Sequence, residues 1–242
     1  MLPFRAILLD KDDTLIDLAA FWEAPIRRTA QQLAKQLGLA GDAPLLRELQ
    51  LAAGILDGTV LPAGPVAAGT NRDIARAWAK VLSAQGHTLP VTEDVLAEAI
   101  QQACLLYGQI RPRGDFATVL HTCKNLHLPL GVATSDSYQA TMHCLQTLEL
   151  DDCFDLVLTA DRVAHAKPHP EMAQIFSAHC GVPLAQIAMV GDTANDMLFA
   201  HNSGMIGILY QPDASPFPLP KGAAYCIHTP AQLLELSSGV CL

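Results

Sequence analysis

The chain has 242 residues, half of them hydrophobic, and a formal net charge of −9. It can therefore bury a substantial core in one large or two modest domains, and it lacks the basic stripe by which proteins grip nucleic acid. No apolar stretch approaches the roughly 20 residues that cross a bilayer. The seven cysteines include no CxxC pair, which favours reduced thiols. We therefore expect a cytoplasmic protein with no nucleic-acid or membrane partner.

The chain opens with one strand and then changes character. The apolar run at residues 4–9 has the length of a buried strand and stops at Asp10. From residue 17 to about residue 110, helical patterns follow one another with almost no strand signal. We predict four helices there, over residues 21–37, 45–56, 71–85 and 92–107, and a Gly- and Pro-rich loop around residues 57–70. This region therefore reads as a helical insertion after the first strand.

Beyond residue 110, short apolar runs alternate with helical patterns. The runs lie at residues 128–133, 156–158, 187–190 and 206–209, and the helical segments at 138–148, 170–180 and 195–202. Continuous apolar strands that alternate with helices indicate a parallel sheet covered on both faces. The predicted fold is α/β, with a Rossmann-like core built from residues 1–16 and 111–242. An all-helical cap is predicted over residues 17–110.

Polar side chains follow four of the predicted strands. In open α/β sheets, ligands bind beyond the carboxyl ends of the strands, so these side chains are expected to meet at one edge. The groups that follow the four strands are, in chain order, Asp10 with Asp12 and Asp13, Thr134 with Ser135 and Asp136, Lys167, and Asp192 with Asp196.

Crowded carboxylates predict a cation at this edge. Mg²⁺ prefers hard oxygen ligands and takes them from one or two carboxylates and a phosphate, and Asp10 and Asp192 would supply those carboxylates. An aspartate at a strand end can also act as a nucleophile and form an aspartyl-phosphate. Asp12 would point to the same side of an extended chain as Asp10, where it could serve as acid and then as base.

Three further residues are candidates for binding the phosphoryl group. Lys167 is the one cation of the set and can neutralise a phosphoryl oxygen. Thr134 and Ser135 each offer a hydroxyl, and either could be the phosphate ligand. Thr134 is favoured because it directly ends the apolar run.

The same residues resemble a known family. The segment DKDDT resembles the first motif, DxDxT, of the haloacid dehalogenase superfamily, and the apolar run that ends in Thr134 resembles the second. Lys167 in KPHP resembles the third motif, and GDTAND resembles the fourth. The helical insertion between the first two motifs resembles the C1 cap of that family. Within the superfamily, the motifs are most similar to those of the phosphoglycolate phosphatase branch.

The resemblance implies a role for each matching residue. Carried over residue by residue, the nucleophile is Asp10, the acid/base is Asp12, the phosphate-binding pair is Thr134 and Lys167, and the metal ligand is Asp192, with Asp196 binding or orienting the metal and its waters. The predicted metal-binding set is thus Asp10, Asp12, Asp192 and Asp196. Asp13 stands where the family most often has Gly, and we expect it to tolerate the turn because Asp accepts unusual backbone angles.

These observations predict a Mg²⁺-dependent phosphatase that acts on a small phosphorylated metabolite, as a monomer or homodimer. Phosphoglycolate is the best substrate candidate, by resemblance alone. A phosphosugar mutase similar to β-phosphoglucomutase is the nearest alternative, since it would use the same Asp10 and Asp12. A non-catalytic binding protein on the same fold is the alternative from another class.

One further pair of residues suggests a metal. His165 and His169 are four residues apart, as the two histidines of a helical metal site would be. Pro168 lies between them and is incompatible with a helical arrangement. The sequence therefore does not predict a zinc site at this pair.

Overall fold

The computed structural model describes residues 2–61, 64–212 and 219–236. The chain divides into two compact units. One unit is formed by Met1–Asp17 and Pro112–Leu242 and is called the α/β core below; the other is Leu18–Arg111 and is called the helical unit.

The described residues form two kinds of regular element. The strands are β1 (Ala6–Leu9), β2 (Ile55–Leu56), β3 (Thr59–Val60), β4 (Leu130–Thr134), β5 (Leu156–Thr159), β6 (Ile187–Gly191), β7 (Ile206–Tyr210) and β8 (Ala223–Ile227). The α-helices are α1 (Leu18–Gln36), α2 (Ala43–Ala53), α3 (Pro65–Ala68), α4 (Asn71–Ala84), α5 (Glu93–Tyr107), α6 (Phe116–Asn125), α7 (Tyr138–Thr147), α8 (Glu171–Cys180), α9 (Ala194–Ser203) and α10 (Gln232–Glu235).

The α/β core contains a six-stranded parallel sheet. Its strand order is β5-β4-β1-β6-β7-β8, so β1 lies in the middle, between β4 and β6. All four residues of β1 are buried, as the continuous apolar run predicts for a parallel strand covered on both faces. The predicted Rossmann-like α/β fold is confirmed. Its central strand carries Asp10 to the carboxyl edge of the sheet.

The sixth strand of this sheet was not predicted. β8 pairs with β7 at the edge of the sheet, and only two of its five residues are fully buried. All five of its residues are apolar, so the run that marks the other strands was present here as well and was overlooked. The register between β7 and β8 also shifts between Gly207 and Ile208.

Helices α1, α2, α4 and α5 give the helical unit its own apolar core. Trp78 on α4 is fully buried there, and its indole N–H donates to the Leu49 carbonyl oxygen at 2.7 Å. A buried indole with a satisfied N–H adds a large apolar surface without an unpaired donor. The amphipathic patterns of the sequence are thus explained by packing within this unit.

The helical unit also contains a short antiparallel pair of strands. The helix predicted over residues 45–56 ends instead at Ala53, because Gly54 takes a left-handed conformation and caps α2. β2 and β3 follow, joined by Asp57 and Gly58, both with positive φ. An Asp-Gly pair of this kind is the usual signal for a tight hairpin, and the sequence analysis did not use it.

Two further findings concern the helices and the cysteines. Within the described ranges, no helix is both long and apolar enough to pass through a lipid bilayer. The six cysteines that the structure describes are free thiols. Burial raises the pKa of the Cys123 and Cys144 thiols to about 11, so neither is a ready nucleophile at neutral pH.

Candidate active site

The predicted polar residues lie at the carboxyl edge of the sheet in the α/β core. Asp10 follows β1, Thr134 is the last residue of β4, and Asp192 follows β6. Because β4, β1 and β6 are parallel neighbours, these three positions are at adjacent strand ends. Lys167 comes from the loop that precedes α8, and Asp196 lies in the first turn of α9.

Lys167 joins two of the aspartates. Its Nζ atom lies 2.6 Å from Oδ1 of Asp10 and 2.6 Å from Oδ1 of Asp196. All three side chains are at least nine-tenths buried. Burial alone would lower the pKa of Lys167, but the two carboxylates raise it above the ordinary lysine value. The lysine is therefore a permanent positive charge at this edge.

Asp196 is fixed by the start of α9. Thr193 and Asp196 form a capping box, in which the Thr193 hydroxyl and amide both bond Oδ2 of Asp196, at 2.5 and 3.1 Å. Gly191 makes room for this carboxylate, since a Cβ atom there would lie 2.5 Å from atoms of Asp196. The Gly and Thr of the GDTAND segment thus position its second aspartate.

Asp192 is held by a neighbour that the sequence analysis left without a role. The buried hydroxyl of Thr14 donates to Oδ1 of Asp192 at 3.1 Å. Burial raises the pKa of Asp192 well above the ordinary value, and the nearby charges of Asp10 and Asp196 raise it further. Thr14 is the last residue of the DKDDT segment, so its position in that motif was the available signal.

The balance of charge at this site fits a divalent cation. Carboxylate oxygens of Asp10, Asp192 and Asp196 lie within 4.8 Å of one another. Three carboxylates face the one ammonium group of Lys167, which leaves two negative charges uncompensated when all three are ionised. Burial raises the pKa of Asp10 to about 7 despite its contact with Lys167. An all-oxygen, doubly negative site of this kind suits Mg²⁺.

A second buried lysine forms a separate cluster beside the first. The Nζ atom of Lys11 lies 2.5 Å from Oδ1 of Asp12 and 3.1 Å from Oδ2 of Asp136. The Lys11 side chain is 2% exposed, whereas those of Asp12 and Asp136 are 30% and 36% exposed. Burial by itself would lower the pKa of Lys11, but these two carboxylates raise it. Neither Lys11 nor Asp136 had a predicted role.

The side chain of Asp12 is therefore placed differently from the other predicted metal ligands. It lies outside the group formed by Asp10, Asp192 and Asp196 and is paired with Lys11 instead. The reason is local, because the adjacent lysine turns inward and supplies a closer partner. This geometry gives the Asp12 carboxylate no support as a metal ligand, and it leaves its acid/base role open.

The remaining predicted residues have distinct surroundings. Thr134 is fully buried, and its Oγ1 accepts a hydrogen bond from the Asp136 amide at 3.2 Å. Ser135 is exposed. Asp13 has a φ of 52°, which agrees with the expectation that it accommodates the turn.

Comparison with known proteins identifies the family of this chain. The family model of the haloacid dehalogenase-like hydrolases matches residues 4–204. A probable phosphatase, IndB, from Dickeya dadantii is 34% identical over 152 residues, which span 60% of this chain and 60% of that protein. The phosphoglycolate phosphatase of Escherichia coli K12 is 26% identical over 224 residues, which cover 85% of this chain and 81% of that protein.

Solved structures agree on the fold. A putative β-phosphoglucomutase from Thermotoga maritima matches with a TM-score of 0.70 at 17% identity, over 96% of this chain and 97% of that chain. A predicted phosphoglycolate phosphatase from Haemophilus somnus matches with a TM-score of 0.67 at 18% identity, over 97% and 98% of the two chains. The family match over residues 4–204 shows that the chain belongs to the haloacid dehalogenase-like hydrolase family, and the two curated relatives described above carry phosphatase names.

Proposed function

We propose that this enzyme is a Mg²⁺-dependent phosphatase that hydrolyses a small phosphomonoester through an aspartyl-phosphate on Asp10. The observation that carries the proposal is the buried contact of Lys167 with Asp10 and Asp196, beside the further carboxylate of Asp192. This set combines a nucleophile, a phosphate-binding cation and a site for a divalent ion. Phosphoryl transfer depends mainly on such positioning and charge stabilisation.

Asp10 and Asp192 would hold the metal ion, with Asp196 as the third carboxylate of the group. When bound, Mg²⁺ supplies Lewis-acid stabilisation of the negative charge on the phosphoryl oxygens. Both oxygens of Asp196 already accept hydrogen bonds, from Lys167 and from Thr193. Its contribution is therefore mainly to hold Lys167 and to add negative charge.

In the first half of the reaction, a carboxylate oxygen of Asp10 attacks phosphorus. The bond between Asp10 and phosphorus forms while the bond from phosphorus to the alcohol oxygen breaks. Asp12 donates a proton to that oxygen, and the product leaves as a neutral alcohol. In the second half, Asp12 takes a proton from water, the water oxygen attacks phosphorus, and the Asp10 carboxylate leaves with inorganic phosphate as the product.

The phosphoryl group would be held by the groups around the nucleophile. Lys167 lies 2.6 Å from the Asp10 carboxylate. Its ammonium group can therefore also stabilise the negative charge on an oxygen of a phosphoryl group that is bound to Asp10. The buried hydroxyl of Thr134 is the expected second donor, and Ser135 is the alternative. That the helical unit selects the substrate stays a prediction from the family resemblance.

Phosphoglycolate is the first substrate to test. Its support is the 26% identity to curated phosphoglycolate phosphatases over most of both chains. We would measure inorganic phosphate release from a panel of phosphoglycolate, sugar phosphates and nucleotides, with Mg²⁺ and with chelator. Asp10→Asn serves as the inactive variant, and Asp161→Asn, an exposed aspartate of the same unit, as the matched control.

The proposal predicts release that requires Mg²⁺, that falls by at least about 10³-fold in Asp10→Asn and that persists in Asp161→Asn. Conversion of one sugar phosphate into its isomer without net phosphate release would instead identify a mutase. A folded protein that neither releases nor transfers phosphate from any ester would contradict the proposal and favour a binding role.

A further inference from the structure

The loop between β5 and α8 carries a second cluster of potential metal ligands, distinct from the carboxylates at the sheet edge. His165, His169 and Glu171 each offer a ligand atom, and these atoms lie within 4.8 Å of one another. His165 and His169 are exposed, and Glu171 is partly exposed. None of the three takes part in the phosphatase mechanism proposed above.

The two imidazoles and the carboxylate lie close together, although the two histidines are in a loop and not on a helix. The ring centroids of His165 and His169 are 4.4 Å apart, with 31° between the ring planes. Nδ1 of His165 lies 2.9 Å from Oε2 of Glu171. Two ligands of one tetrahedral zinc ion, each about 2.0–2.1 Å from the metal, are separated by roughly 3.3 Å. The ligand atoms, which lie within 4.8 Å of one another, would therefore have to come closer, and His165 and His169 have exposed side chains that can rotate.

In the sequence, Pro168 disfavours a metal site because it prevents a helical arrangement of the two histidines. The structure removes that objection, since residues 163–170 form turns and bends and α8 begins only at Glu171. The turn of this loop brings His165 and His169 together, so no helix is needed. Asn202 donates to the Pro168 carbonyl oxygen at 3.1 Å and fixes this loop to α9.

Glu171 is oriented for ligation by the backbone. Its two carboxylate oxygens accept hydrogen bonds from the Ala164 amide at 2.8 Å and from the His165 amide at 2.9 Å. These bonds, with the contact to the His165 ring, hold the pKa of Glu171 below its usual range. The carboxylate is thus held in place with Oε2 beside Nδ1 of His165, and the Glu171 amide donates to Nδ1 of His169 at 3.3 Å, which leaves Nε2 of that ring for a metal ion.

We propose that His165, His169 and Glu171 bind a transition-metal ion of the Zn²⁺ type. Two imidazoles and one carboxylate form a ligand set of borderline softness, which suits Zn²⁺ and its neighbours in the first transition series, whereas Mg²⁺ prefers oxygen ligands alone. A surface cavity of about 690 Å³, which His165 and His169 help to line, leaves room for water in the open position. The three protein ligands and one water complete a tetrahedron.

The site would act on the loop that bears Lys167. Lys167 lies between the two histidines in sequence, while its Nζ atom contacts Asp10 and Asp196. A metal ion that joins His165, His169 and Glu171 closes a short loop around this lysine. Its occupancy is therefore expected to protect the amides of residues 164–167 and 169 from hydrogen exchange.

The test is calorimetric titration of Zn²⁺ into the intact protein in the presence of a saturating excess of Mg²⁺, which occupies the carboxylate site. Wild-type protein is expected to bind one equivalent of Zn²⁺. The double variant His165→Asn/His169→Asn is expected to lose this event. Glu171→Gln is expected to weaken it, because the charge is lost while an oxygen acceptor remains. His143→Asn, which changes an exposed histidine on α7, should bind as wild type does.

Co²⁺ provides a readout that is independent of activity. Its visible absorption band becomes strong when it binds in a tetrahedral site with imidazole ligands, so wild type and His143→Asn should show the band and the double variant should not. Zinc binding that persists in the double variant but disappears in Asp192→Asn would place the ion at the carboxylates and overturn the proposal. The absence of any Zn²⁺ event in Mg²⁺-saturated wild type, with all variants folded by circular dichroism, would overturn it as well.

Discussion

Two buried lysines in the α/β core have the same number of carboxylate partners and very different surroundings. Lys167 contacts Asp10 and Asp196, which are 8% and 1% exposed, and Asp192 lies in the same group. Lys11 contacts Asp12 and Asp136, which are both about one-third exposed. Water can compensate the excess negative charge in the second cluster, whereas the first has to obtain a counter-charge from a ligand.

The difference in exposure suggests that the two clusters have different roles in the reaction. We call the cluster around Lys167 dry because its side chains are buried, and the cluster around Lys11 wet because both of its carboxylates are partly exposed. The excess negative charge of the dry cluster is stable only when a cation is bound or a carboxyl group is protonated. The wet cluster around Lys11 holds Asp12 in one place while leaving it open to solvent and to a leaving group. In the proposed mechanism, metal binding and nucleophilic attack would belong to the first cluster and proton transfer to the second.

The largest difference is expected when each lysine is replaced by an apolar residue of similar length. Lys167→Met leaves two buried carboxylates without their ammonium partner and is expected to cost about 3 kcal/mol or more of unfolding free energy. Lys11→Met is expected to cost only about 1–2 kcal/mol, because Asp12 and Asp136 can recover hydration. Urea denaturation at pH 7 in the presence of chelator measures both values. Equal losses would contradict the distinction between a dry and a wet cluster.

Neutralising one carboxylate in each cluster should have opposite effects. The pKa of Asp192 is raised in the folded protein, so its ionised form opposes folding at pH values above that pKa, and Asp192→Asn should stabilise the metal-free protein at pH 8. The amide oxygen can still accept the hydrogen bond from Thr14. Asp136→Asn removes a charge partner of the buried Lys11 and should destabilise the protein.

Thermal melting with and without Mg²⁺ extends this comparison. A cation present at 100 times its dissociation constant contributes about 2.7 kcal/mol to the stability of the folded state. That gain should appear in wild type and in Asp136→Asn, and should be lost in Asp192→Asn. A Mg²⁺-dependent shift of the melting temperature that survives in Asp192→Asn would argue against the carboxylate site.

The smallest expected effect concerns the proton transfer that we propose for Asp12. If Lys11 holds Asp12 in position, Lys11→Met should lower kcat/KM for an alkyl phosphate about tenfold more than for p-nitrophenyl phosphate, whose leaving group needs no proton. Since folding and phosphate binding affect both esters alike, their ratio isolates the proton transfer. An unchanged ratio would show that Lys11 has only a structural role.

Much of this site could be predicted from the sequence by finding the ends of the strands. Asp10, Thr134 and Asp192 could be placed together from sequence because each follows a continuous apolar run, and parallel strands bring such positions to one edge. The prediction of a phosphatase-type member of the haloacid dehalogenase family is confirmed at the level of the family and its curated relatives. The roles of the individual residues stay predictions until they are measured.

Other features depended on contacts that no local pattern encodes. Nothing in the sequence around Lys11 indicates that its side chain turns inward, because a lysine next to two aspartates is usually solvated. By contrast, β8 and the end of α2 at Ala53 did have local signals, the apolar run at residues 223–227 and the glycine at position 54, which were overlooked. The proximity of His165, His169 and Glu171 depends on a loop whose path the proline rule alone could not give.

The most direct test of the account is to look for the phosphoryl group on Asp10. Asp12→Asn should slow hydrolysis of the intermediate while p-nitrophenyl phosphate still supplies the first step, because that leaving group needs no acid. Rapid acid quench followed by peptide mass spectrometry should then find one phosphoryl group on the peptide that contains Asp10, and none when chelator is present. Release of p-nitrophenol with no phosphorylated peptide, or with the group on another residue, would contradict the proposed mechanism.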